Sequence, residues 1–211
     1  MFGRVEPKYS ECNFQAIATT YGAMPADTYD ETNLNELKVK LETEDGFEGC
    51  EFMKIDFTEI DLTGSSFLDC KFVSCNLANQ SLTNGSMRDV QFESCNMVGI
   101  NWCSLKRFEN AKFRDSKINF STFQRLKLKH LEIINCSANE CDFSEADLTA
   151  SELTNSSFSS SNFERANLTN ADFRSSRDYA FDIRTAKIRG AKFSFPDVIS
   201  LLTALGAQIE M

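Results

Sequence analysis

The side chains of this sequence able to do chemistry are 8 cysteines, 1 histidine, 31 carboxylates and 22 lysines and arginines. Thiolates bind soft metals and attack as nucleophiles, imidazole moves protons near neutral pH, and paired carboxylates act as general acid and base. Their spacing supports none of these roles. No Cys-x-x-Cys pair of the kind used for zinc or redox exchange occurs. The lone histidine, His130, follows Lys129 in a stretch without cysteines. Nucleotide-binding glycine loops, metal-binding histidine pairs and nucleophile motifs are missing too. We therefore assign no catalytic residue, metal ligand or cofactor, and expect a binding protein, not an enzyme.

What the cysteines share is a position. Cys12, Cys50, Cys70, Cys75, Cys95, Cys136 and Cys141 each stand two residues before a large or apolar side chain. Apart from Phe14, which is out of register, those partners belong to a series with a step of five, whose first run is Phe47, Phe52, Phe57, Leu62, Phe67, Phe72, Leu77, Leu82, Met87, Phe92, Met97, Trp102. Against the 42% hydrophobic background, twelve consecutive hits have odds of roughly one in 30,000, so the period is real. One residue is then inserted. The series resumes at Phe108, runs to Phe173, misses at Asp178 and recovers at Ile183, Ile188 and Phe193. Cys, Ser, Ala and Gly recur two positions earlier, and in extended backbone that spacing puts both side chains on one face. Neither a helix nor a flat sheet has a period of five. A coil of four short sides does, with every twentieth residue stacked on its predecessor about 4.8 Å along the axis. The expected class is an all-β solenoid over 47–193, in which the cysteines are small buried hydrophobes. Cys50 should stack on Cys70 and Cys75 on Cys95, as reduced thiols.

Both ends need covering. Residues 1–46 are expected to form an N-terminal cap. A partial coil would use Tyr9, Cys12 and Phe14, and a short helix would place Leu34, Leu37 and Leu41 on one face. Asn33 with Glu36 reads as a capping box and Gly46 as the helix stop. Residues 194–211 read as a second helix near 196–205, begun at Pro196 and stopped at Gly206, followed by a short tail. Val198, Ile199, Leu201, Leu202, Leu205 and Ile209 make this end more apolar than one cap requires, so a symmetric dimer is expected there. The insertion after Trp102 should be absorbed by a corner or small bulge. An irregular corner is expected between 175 and 182.

A formal charge of −9 and a pI near 4.8 argue against nucleic acid or an anionic membrane as a direct partner. No apolar run approaches the roughly 18 residues that span a bilayer. The N-terminus lacks a signal-peptide core, so the expected location is the cytoplasm. Charge is uneven along the chain. Eight cations lie between Lys106 and Lys129, and Glu140, Asp142, Glu145, Asp147 and Glu152 follow. Glu132, Glu152 and Asp172 lie twenty apart, so they should stack as like charges, with Lys112 and Lys192 at the column's ends. Such neighbours repel by up to about 1 kcal/mol per pair in water, and folding does not ask for them. Arg125, Glu145 and Arg165 form an ordinary alternating column.

Cys75-Asn76-Leu77, Ala146-Asp147-Leu148, Ala166-Asn167-Leu168 and Ala171-Asp172-Phe173 carry a small-(Asp/Asn)-(Leu/Phe)-x-x unit. On these units the chain resembles the pentapeptide repeat proteins, over residues 47–193. The resemblance implies a right-handed quadrilateral parallel β-helix. The acidic net charge, the apolar C-terminal helix and the lack of long insertions resemble the loopless Qnr-type quinolone-resistance branch, as in mycobacterial and chromosomal enterococcal members. That branch implies mimicry of duplex DNA, binding to DNA gyrase and to topoisomerase IV, and protection from quinolones. On this reading the acidic surface comprises Glu132, Glu152, Asp172, Glu140, Asp142 and Asp147. The alternatives are an interaction scaffold without a topoisomerase target, and immunity against a gyrase-directed peptide toxin.

Overall fold

The computed structural model describes residues 27–43 and 46–209, and in it the period of five becomes a right-handed parallel β-helix of four sides. Each unit supplies one side. On the second side, strands β1 (Thr28–Tyr29), β3 (Glu51–Met53), β5 (Lys71–Val73), β7 (Gln91–Glu93), β9 (Lys112–Arg114) and β10 (Glu132–Ile134) pair in parallel. On the first side β2 (Gly46–Glu48), β4 (Ser66–Leu68), β6 (Ser86–Arg88) and β8 (Arg107–Glu109) do the same. Single bridges join the third side, from Asp56 through Asn76, Asn96, Lys117, Ser137 and Ser157 to Arg177. The fourth side is joined through Asn101, Thr122, Asp142 and Asn162.

The repeat unit can be explained residue by residue. Its large residue is buried, and its backbone N–H donates to the next coil, as Phe123 N does to Asp142 O at 2.8 Å. The Asp or Asn before it accepts the N–H two positions on: Asp61 from Thr63 (2.9 Å), Asp142 from Ser144 (2.9 Å) and Asp172 from Arg174 (3.1 Å). This local loop is why the motif asks for that residue type. The residue two after the large one turns the corner at positive φ, as at Asn79, Arg125, Glu140 and Ala150. Left-handed backbone costs a non-glycine residue roughly 1 kcal/mol. Each corner is held by a further bond to the next coil, such as Arg125 N to Ser144 O at 3.0 Å. Where Leu126 N also closes onto Phe123 O at 3.2 Å, the corner is a type II turn.

The small position is a hydrogen-bonding slot as well as a space-saver. Ser161 Oγ donates to Ala138 O at 2.6 Å and accepts the Cys141 N–H at 3.0 Å. Cys95 takes the same place, its Sγ accepting the Cys75 N–H at 3.4 Å, so those two cysteines stack across one coil. Among the described cysteines all are free thiols and only Cys103 is exposed; Cys12 lies outside the described residues. Burial pushes the Cys136 thiol up to about 11 and Cys141 up to about 12.

Inside, an aromatic stack changes walls halfway. Phe52, Phe72, Phe92 and Phe113 stack along the second side at 4.7, 4.9 and 5.3 Å. Trp102, Phe123, Phe143 and Phe163 continue along the opposite, fourth side at 5.8, 4.8 and 5.1 Å. The crossover coincides with the inserted residue, which is taken up by a 3-10 turn at Trp102–Ser104 that brings Leu105 inward. At the later irregularity Asp178 faces outward, and Tyr179 and Phe181 fill the core.

The ends differ in detail from expectation. Helix α1 (Leu34–Thr43) buries Leu37 completely over the first coil, with Leu34 and Leu41 partly buried. Asn33 precedes it but forms no capping box. Its Oδ1 accepts the Asp30 N–H (2.7 Å) and its Nδ2 donates to Thr28 O (2.9 Å), tying the helix start to β1. Gly46 is not a helix stop. It opens β2 beside Ser66, where a Cβ would come within 2.9 Å of Ser66 O. Tyr9 and Phe14 lie outside the described residues, and the described ladder begins at Tyr29, stacked 5.4 Å from Phe52. Helix α2 spans Ile199–Ala204. It starts later than Pro196 because Ile199 N and Ser200 N make short-range turn bonds to Pro196 O (3.0 Å) and Asp197 O (3.1 Å).

Candidate functional site

A solenoid without loops offers its sides, so candidate surfaces are columns of outward residues. The described residues hold no cluster of His, Cys, Asp and Glu arranged to bind a metal, and no helix among them is long and apolar enough to cross a membrane. His130 occupies an exposed corner at φ 60. The question becomes which columns keep their charge.

The second side spends its charge on itself. Glu132, Glu152 and Asp172 stack as a column, with Lys112 and Lys192 beyond them. Lys112 Nζ and Arg114 Nη2 reach Glu132 at 2.9 and 2.6 Å. Arg174 grips Asp172 through Nε and Nη2, and Lys192 stands 3.8 Å away. Partial burial alone would raise the Glu132 pKa, but bonds and charge from Lys112 and Arg114 outweigh it and hold the carboxyl below its usual value. Asp172 is lowered first by its hydrogen bond from Arg174. Glu152 makes no ion pair among the described residues, yet it lies in the field of Arg114 and Arg174, both of whose pKa values it helps to raise. Lys71 adds a pair to Glu93 at 2.9 Å.

The first side is mixed. Asp147 accepts from Thr149 and Asn167 and faces Lys129 at 3.8 Å. Burial pushes its pKa up, and these partners together bring it below the usual value. The basic sequence from Lys106 to Lys129 does not form one patch. Lys112 and Arg114 sit on the second side, Lys117 on the third, and Arg107, Lys127 and Lys129 on the first. Arg125 is paired at a corner with Glu145, with two bonds of 3.2 Å.

The fourth side differs. Its outward columns from Asp61 to Glu164 carry carboxylates, amides, hydroxyls and the Cys103 thiol, and no lysine or arginine. At the far end Arg165 of the exit corner meets Glu164 at 3.6 Å, and Arg184 meets Asp182 at 2.6 Å. The corner leading into it runs Glu59, Asn79, Gly99, Phe120, Glu140, Ser160, again without a cation. Glu140 and Asp142 therefore belong together here, whereas Asp147 and the Glu132 column stand on other sides. Sequence reasoning missed Glu59, Asp61, Glu164 and Phe120. The signal was available in the repeat phase, since each lies one or two places from a large inward residue.

Two pentapeptide-repeat family descriptions match, a pentapeptide repeat region over residues 46–123 and pentapeptide repeats in 8 copies over 133–177. The chain belongs to the pentapeptide repeat family. Among solved structures it is similar to trypsin-treated QnrB1, a plasmid-mediated fluoroquinolone resistance protein, at 19% identity over 79% of this chain and 92% of that one, TM-score 0.57. Full-length QnrB1 aligns at 20% identity over 77% and 90%, TM-score 0.51. At these identities the likeness is one of fold. No curated protein sequence matches this pentapeptide repeat protein.

The C-terminal end offers a second surface. Leu201 is buried against the last coil and Val198 and Ile199 are half-buried, while Phe195, Leu202, Leu205 and Ile209 are exposed.

Proposed function

We propose that this pentapeptide repeat protein binds a type II topoisomerase, DNA gyrase foremost and topoisomerase IV as a second target, in the place of duplex DNA, and protects it from quinolones. The observation that carries this reading is the fourth side, whose outward columns hold no lysine or arginine from Asp61 to Glu164, together with its entering corner. A surface made to hold a polyanion is basic, and carboxylates at coil spacing complement it. The described rungs of the second side, Tyr29 to Phe193, give a rod roughly 40 Å long at about 4.8 Å per coil. The shared fold with QnrB1 supports the choice of target class. Glu140, Asp142 and Asp61 are the leading carboxylates, and Glu164, paired with Arg165 at 3.6 Å, contributes less, as do Glu132, Glu152 and Asp172 with cations around them. The exposed apolar residues of the C-terminal end join two copies about a two-fold axis, doubling the rod.

The test is a supercoiling assay with purified gyrase and ciprofloxacin. The protein should restore supercoiling without a cofactor, inhibit the enzyme when in excess, and act less well as salt rises. No effect on gyrase would leave a scaffold role. Light scattering should give a dimer that Leu202→Asp with Leu205→Asp converts to monomer; an unchanged mass would move the interface elsewhere.

A further inference from the structure

Phe120 breaks two rules of the coil at once. Its side chain is 58% exposed, and no other large apolar side chain between Gly46 and Phe193 is exposed. It also turns a corner at φ 59, a conformation that glycine, asparagine and aspartate tolerate and a bulky side chain does not favour. The same corner carries Asn79 and Gly99 in the coils before and Glu140 and Ser160 in the coils after. Core packing gives nothing in return, because the inward places of this stretch are filled by Ile118 and Phe123, both fully buried.

The surroundings say what such a residue can meet. Phe120 N donates to Asn139 O at 3.0 Å and Gly99 N to Asn119 O at 2.9 Å, so the residue stands in its column between Gly99 and Glu140. Beside it on the fourth side lie Thr122, Gln124 and Asp142, and Gln124 Nε2 is already satisfied by Ser144 Oγ at 3.0 Å. A single exposed aromatic within a polar, acidic rim has the anatomy of an interface anchor: a ring that fills a pocket while its rim excludes water. We propose that Phe120 is the anchor of the fourth side, and that its partner is a protein surface presenting an apolar socket edged by lysine or arginine. Duplex nucleic acid and anionic lipid are disfavoured by the carboxylates alongside. This inference rests on the topoisomerase reading and adds the point of insertion.

Phe120→Asn decides it. Asparagine suits the corner, so the melting temperature should hold or rise. Binding to purified gyrase should weaken about 30-fold, the loss typical of an aromatic hot spot. The loss should appear as faster dissociation with an unchanged salt dependence, since no charge is altered. Phe120→Leu, which keeps apolar bulk, should recover most of the affinity. Wild-type affinity in Phe120→Asn would overturn the anchor while leaving the topoisomerase reading intact. A lowered melting temperature in Phe120→Asn would also overturn it, by giving the ring a folding role. A wild-type protein without effect on gyrase would sink that reading and the anchor with it.

Discussion

The second and fourth sides are opposite walls of one coil, built from the same five-residue unit, yet they treat charge in opposite ways. On the second side Glu132 and Asp172 are each held by two cations, and Lys71 bridges toward Glu93. On the fourth, Asp61 and Asp142 stand in columns with no lysine or arginine between Asp61 and Glu164. The neighbouring charge comes late, where Arg165 of the exit corner meets Glu164 at 3.6 Å and Arg184 meets Asp182 at 2.6 Å. The difference lies in the residues flanking each carboxylate. Arg114 and Arg174 follow large residues on the second side, whereas Gln124 and Ser144 do so on the fourth. A row of like charges read at twenty-residue spacing is therefore no guide to free charge unless the neighbouring column is read with it. Cross-strand neutralisation is ordinary sheet chemistry, and its absence on one wall is the feature that asks for a partner.

The largest expected effect lies beneath both walls. Phe72 sits mid-stack on the second side, fully buried between Phe52 and Phe92. Phe72→Asp would bury an unpaired charge at a cost of several kcal/mol, so it should abolish cooperative melting. A soluble variant with an unchanged melting midpoint would overturn the inward assignment. Phe143→Asp on the opposite wall should behave alike, because its ring is equally buried in the fourth-side stack.

Much of this was legible in the sequence because the repeat is local. Which residues point inward follows from phase alone, and Phe47 through Trp102 are buried as the step of five requires. The stacking of Glu132, Glu152 and Asp172 followed from the same phase. Pairing did not, because it depends on long side chains such as Arg114 reaching across a coil from a neighbouring column. The ends were harder. Asn33 has capping chemistry, but which groups it meets depends on how α1 leans on β1. Gly46 has the look of a helix stop, and only the close approach of Ser66 O shows why a glycine opens β2. Phe120 was overlooked because its period was wrong for the core, which is also the reason it is exposed.

A paired charge removal sharpens the comparison. Glu140→Gln with Asp142→Asn deletes two charges from the fourth side, and the introduced amide would keep an oxygen for the Ser144 N–H that Asp142 accepts at 2.9 Å. Gyrase protection should fall about tenfold and lose part of its salt dependence, with little change in melting. Glu132→Gln with Asp172→Asn removes the same charge from the second side. There the cations are exposed and the carboxylates only partly buried, so stability should drop modestly and protection should hold. The reverse pattern, protection lost only through the second side, would return the binding surface to the Glu132 column.

The smallest effect is one of acid stability. Glu132 and Asp172 have folded pKa values below their ordinary values of 4.5 and 3.8. A carboxylate depressed in the folded state adds stability that is fully present above the unfolded pKa, and that stability is lost as pH falls through the folded pKa. The melting temperature should therefore be level near neutrality and begin to fall below about pH 4.5. In Glu132→Gln with Asp172→Asn the fall should be shallower, because two of the groups that must be protonated are gone. In Glu140→Gln with Asp142→Asn it should survive, because Glu132 and Asp172 are untouched. Thermal melts of the three proteins between about pH 7 and pH 3 test this. Equal slopes in all three would mean that the second-side pairs contribute no measurable stability, and that the two walls differ in appearance but not in energy.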